Sequence, residues 1–217
     1  MFPTATRVRA SRPRSVLLGV LLAGQLTFAG AATPANTSVT AVPSEVRALI
    51  AAADTLLAYK SADLYGDGGQ AAVIVIRHHV SGQSDYEFAN NPCELVVLRQ
   101  QNGKLAESAR SSKAVDCTYN DVARNAPAMS LNDNLSATAG NITFINQKGK
   151  GDSTFYFAWS KEKNTWYLQR ATASIPDGNS VSHTSASYPR DFGWTPMSSV
   201  DPDTMAEILE KHGKNNK

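Results

Sequence analysis

The chain contains only two cysteines, Cys93 and Cys117, and neither has a histidine or further cysteine at metal-ligand spacing. That leaves no thiolate-based metal centre to argue for. Long apolar runs are also missing: the stretch from Val16 to Phe28 is too short for a membrane span, and small and polar residues follow it at once. No Lys/Arg stripe with interleaved aromatics is present, so no nucleic-acid surface is indicated. There is no G-x-S-x-G nucleophile elbow. Histidines number four. His78 and His79 are adjacent in a predicted strand and would point to opposite faces, while His183 falls in a Ser/Thr-rich loop and His212 in the C-terminal tail. No internal repeat stands out. These absences argue for a protein that binds rather than catalyses.

The N-terminus is where the sequence is most explicit. Arg7, Arg9, Arg12 and Arg14 precede the apolar stretch, and Ala29-Gly30-Ala31 follows with small residues where a signal peptidase reads. Residues 1–31 are therefore expected to be a cleaved secretory signal, with a mature chain beginning near Ala32 and a periplasmic location. Without the four arginines of that segment, the formal charge of +2 falls to about −2. The cysteine pair fits an oxidising compartment and is expected to form one disulfide, closing a loop worth about 3 kcal/mol through the unfolded state.

Residues 32–43 read as a flexible lead-in, 44–212 as a single β-rich domain and 213–217 as a tail. Ser44 is expected to cap a helix from Glu45 that places Val46, Leu49, Ile50, Ala53 and Leu57 on one face. The apolar, β-branched run Ala71–Arg77 predicts a central strand buried on both faces. Glu94–Arg99 predicts a second strand, turned by Gln101-Asn102-Gly103-Lys104. Further strands are expected at Met129–Leu131, Leu135–Thr138 and Asn141–Asn146, and an aromatic hairpin at Phe155–Trp159 and Trp166–Arg170. Residues 176–200 read as irregular. Asp201 and Asp203 should start a final helix with Met205, Ile208 and Leu209 on its apolar face. The expected fold is mainly β: an antiparallel meander, sandwich or propeller-blade-like, with a short helix at each end and one disulfide.

One motif carries a possible chemistry. Asp63-Leu64-Tyr65-Gly66-Asp67-Gly68-Gly69-Gln70 places acids at the first and fifth positions of a calcium-type loop and glycine at the sixth. Tyr65 stands where Asn or Asp is wanted, and Ala71 where an acid is wanted. Asp63 and Asp67 therefore make at most a weak calcium site, the alternative being a tight glycine turn in which they bond backbone amides. Loops 81–92 and 176–196 carry Tyr86, Phe88, Tyr188, Phe192 and Trp194, which serve either as anchors for a partner or as packing against the core.

The order of these features resembles a group of exported bacterial β-rich proteins whose loop reads D-L-N-G-D-G. The shared features are the secretory signal, the Asp63–Arg77 turn and strand, the Cys93–Arg99 strand with its hairpin, and the Phe155–Leu168 hairpin. That group includes periplasmic immunity proteins similar in fold to lysozyme inhibitors. The resemblance implies a non-enzymatic protein that neutralises a peptidoglycan hydrolase or other toxin effector. A calcium-binding envelope adhesion or structural module is the alternative.

Overall fold

The computed structural model describes residues 41–80, 91–178 and 180–215, which belong to one compact unit. A four-residue helix α1 (Ser44–Arg47) leads into a four-stranded antiparallel meander: β1 (Thr55–Ala62), β2 (Ala71–Arg77), β3 (Cys93–Gln101) and β4 (Lys104–Ser111). After the short helix α2 (Asp121–Arg124) comes a five-stranded meander: β5 (Leu135–Thr138), β6 (Asn141–Gln147), β7 (Asp152–Ser160), β8 (Thr165–Asp177) and β9 (Ser180–Ser187). Helix α3 (Pro202–Asn215) closes the chain.

The sequence pattern explains why these sheets meet. Ala71, Val73 and Val75 of β2, with Leu95 and Val97 of β3, enter one core together with Ile142, Phe144, Phe155, Phe157, Trp166 and Leu168 of the second sheet. The Val, Leu, Ile and Phe side chains among them each contribute about 1.5–3 kcal/mol when removed from water. Alternate residues Ala72, Ile74, Ile76, Val96 and Leu98 form a second cluster on the other face of the first sheet, under Val42 and Val46. Strand β2 is thus buried on both faces between β1 and β3, as its unbroken apolar run predicts.

The Asn102-Gly103 turn has positive φ at both residues, 52° and 79°, the backbone a two-residue hairpin needs. Cys93 and Cys117 are joined, tying the start of β3 to the segment before α2. Asp201 Oδ1 accepts hydrogen bonds from the N–H groups of Asp203 and Thr204 and so starts α3, whose Met205 and Leu209 enter the main core.

Four expectations are corrected. The helix expected through Leu57 ends at Arg47, with Pro43 rather than Ser44 at its cap position. Leu57 instead lies in β1, where a bulge between Leu56 and Ala58 turns both Leu57 and Ala58 into the inter-sheet core. Burial against β2 outweighs the helical spacing. Met129–Leu131 forms a turn rather than a strand, with the N–H groups of Met129 and Leu131 donating to Leu56 and Leu57 of β1. Residues 176–200 are not irregular throughout, because β8 runs to Asp177 and β9 follows. The strand expected to start at Phe155 begins at Asp152.

Candidate binding surface

The Asp63–Gln70 loop is built as a turn. Asp63 accepts N–H groups of Asp67 at 3.1 Å and Gly68 at 2.9 Å, and Asp67 accepts that of Gly69 at 2.9 Å. The other oxygen of Asp67 is held by the guanidinium of Arg99. The Gly69 N–H bond, then Arg99, hold the Asp67 carboxyl below its ordinary range. The oxygens a cation would need are thus aimed at donors. Tyr65, at the position where calcium loops carry a ligand, is buried: its hydroxyl hydrogen-bonds Ser108 of β4 at 2.5 Å and accepts from Trp166 Nε1 of β8 at 3.3 Å. Its ring meets Trp159 and Trp166 edge-on. Among the described residues no three acids, histidines or cysteines are grouped to hold a metal.

The outer face of the second sheet carries a different arrangement. Tyr156 and Ala158 of β7 stand opposite Arg170 and Tyr167 of β8. Tyr167 stacks on Trp194 with centroids 4.4 Å apart, and Tyr188 meets both rings edge-on, at 5.7 Å from Tyr167 and 5.6 Å from Trp194. All three rings are half-buried. Lys163, from the β7–β8 turn, sits 4.1 Å over the indole of Trp194. Two connections fix the segment that brings Tyr188 and Trp194 here: the N–H of Tyr188 donates to Gln169, and that of Leu168 donates to Thr195. Asp191 locks the turn between them, accepting from the N–H of Ser187 at 2.7 Å and from Arg190 at 2.8 Å. The Arg190 guanidinium is the main reason its carboxyl is held down to about 2.

Next to this aromatic patch lies an open groove of about 650 Å³. Arg170 stacks 3.8 Å over the ring of Tyr156 at one side of it, and Ser174 Oγ and His183 Nδ1 are 3.1 Å apart at the other. A serine–histidine contact suggests a nucleophile and base. Here, however, the two residues are direct cross-strand partners, and β8 is paired on both sides, so the local N–H groups serve the ladder rather than a developing oxyanion.

A second cluster lies at one end of the first sheet. His78, just past β2, is hydrogen-bonded to Asp54 at 2.7 Å and Glu94 at 2.9 Å, and Glu94 is also held by Arg110. Burial opposes the charge on His78, but the hydrogen bonds to Glu94 and Asp54 outweigh it and raise the pKa above its ordinary value.

Of the partner-binding residues expected from sequence, Tyr188 and Trp194 come together at the surface patch, whereas Phe192 is buried in the core. Tyr86 and Phe88 lie outside the described residues. Tyr156, Tyr167 and Arg170 fall within the expected aromatic hairpin but are not among the partner-binding residues expected from sequence. Period two within β7 and β8, with Phe155, Phe157, Trp166 and Leu168 inward, is the signal that puts Tyr156 and Tyr167 outward. No protein-family model matches the chain, and no curated protein matches it.

Proposed function

We propose that the protein is exported to the bacterial periplasm and acts there without catalysis, holding a protein partner as an immunity or inhibitor protein against a cell-wall-hydrolase effector. The observation that carries this reading is the pre-packed patch of Tyr167, Tyr188 and Trp194, with Lys163 laid over it. Aromatic anchors held in place before binding lose little freedom on association, and such residues dominate interface energetics. Export rests on the N-terminal arginines, apolar run and Ala29-Gly30-Ala31, and the choice of effector on the resemblance to periplasmic immunity proteins. Among the described residues no helix is long and apolar enough to cross a membrane. The calcium-module alternative gains nothing from the loop, whose carboxylate oxygens are turned to N–H and guanidinium donors.

The test is recovery of partners by the disulfide-bonded mature protein from secreted and periplasmic fractions, followed by lysis assays on any hydrolase recovered. One-to-one binding and inhibition are expected. Trp194→Ala should weaken the complex about 30-fold or more, corresponding to the 2 kcal/mol that marks an anchor residue. Absence of any hydrolase, or unchanged lysis, would sink the reading. N-terminal sequencing of the exported protein should begin near Ala32.

A further inference from the structure

We infer that the groove beside the aromatic patch is a saccharide site selective for a sugar that carries a carboxylate. Arg170 is a charged group at this groove. Its guanidinium is stacked on Tyr156, lies on the exposed face of β8 and has no carboxylate partner among the described residues. A cation held by a ring keeps its planar fork free, the geometry that pairs two N–H groups with a carboxylate. Arg190, at the same groove, is already engaged by Asp191, so Arg170 is the unsatisfied positive group.

The rest of the lining sets the ligand class. Thr172, Ser174 and Ser185 present short hydroxyls, and His183 adds a ring nitrogen. Each hydroxyl both donates and accepts, which matches the hydroxyls of a sugar. Protein interfaces are depleted in serine, so this lining suits a saccharide better than a protein loop. Asp152 stands in the groove as well, an acceptor for sugar hydroxyls that would repel a second carboxylate. Further along the same face of the β7–β8 ladder, Tyr167 borders the groove, stacked on Trp194, whose other face Lys163 covers. The groove volume falls within the range of small-ligand sites.

The inference does not depend on the immunity reading, because its test contains no protein partner. The mature protein is titrated, by NMR shift changes and calorimetry, with the disaccharide of N-acetylglucosamine and N-acetylmuramic acid, which carries one carboxylate. Chitobiose is the neutral comparison. The acidic disaccharide should bind at least tenfold more tightly, with shifts at Tyr156, Arg170 and Ser174. Arg170→Gln should remove that preference, a loss of about 10- to 100-fold for a charge-assisted bond. Arg170→Lys should keep part of it, and Lys161→Gln, outside the groove, should change nothing. Should Arg170→Gln fail to fold, Ser185→Asp, which adds a repelling carboxylate at an exposed position, should abolish binding. Equal affinity for both sugars, no saturable binding by either, or wild-type affinity in the Arg170→Gln and Ser185→Asp variants would overturn the assignment.

Discussion

Tyr65 shows how one residue decides between two readings of a motif. Its ring and hydroxyl join β4 to β8 through Ser108 and Trp166, so the loop holds the sheets together at the place where a calcium loop would spend a ligand. Tyr65→Asn restores the calcium-type sequence, yet it should cost about 3–5 kcal/mol, as for loss of a large buried side chain. Denaturation of the variant should show that loss equally with calcium and with chelator. Glycines give a second contrast. Gly140 has φ of 72° with open space where a Cβ would go, so Gly140→Ala should cost about 1–2 kcal/mol for the left-handed backbone alone. At Gly151, with φ of 82°, a Cβ would meet the Ser174 carbonyl oxygen at 2.0 Å. Gly151→Ala should exceed about 4 kcal/mol, because the β7 start must move away from β8. Comparing the two urea midpoints checks this. The glycines are visible in the sequence, but the difference between them is not, because it depends on which strand lies alongside.

At the scale of elements, the end of the first sheet is held by charges from four successive segments: Asp54 before β1, His78 after β2, Glu94 in β3, and Arg110 with Glu107 in β4. The raised pKa of His78 means that its charged form is favoured by folding. Its contribution is complete below the ordinary value of 6.5 and is lost as pH rises through the raised value. Asp54 behaves oppositely. Burial works against its charge, but the His79 N–H and the His78 ring keep its pKa below the ordinary 3.8, so its contribution stands above that value and is lost on acidification. Stability from this cluster should therefore be greatest between those two ordinary values. His78→Gln should flatten the decline on the alkaline side in melting curves taken across pH. The disulfide acts on another segment: Asn91 braces the same region, donating to Cys93, Ser112 and Val115 carbonyls and accepting from Cys117 N–H. Replacing both cysteines with alanine should cost about 3 kcal/mol. Here β2, the Asn-Gly hairpin and the start of α3 were legible because burial on both faces, positive φ and N–H capping each demand particular residue types. Strand β1 was hidden behind helical spacing. Strand β9 was hidden by its composition, since Ser180–Ser187 buries only Ala186 and shows no apolar alternation.

At the scale of the whole molecule, both sheets and α3 feed one core, and Tyr65, Trp159 and Trp166 meet within it. Because the strands that carry the first sheet's second cluster also build the shared core, unfolding should be a single cooperative transition. In a Trp194→Phe background, the fluorescence of Trp159 and Trp166 should change at the same denaturant midpoint as far-UV circular dichroism. Separate midpoints would show that the sheets unfold independently. The sequence by itself determined the β-rich class, the cysteine pair, the central strand and the glycine turn at Asp63–Gln70. Each of these is local, set by residue type, period or backbone freedom within about ten positions. Only the tertiary structure decided that Tyr65 is a strut rather than a vacant ligand position, that Phe192 is buried, and that Tyr167, Tyr188 and Trp194 form one patch beside Arg170. Those outcomes depend on which strands pair, in what register, and on which face the intervening segment returns. Such long-range choices are made by burying the most apolar surface at once, and no stretch of the chain records them separately.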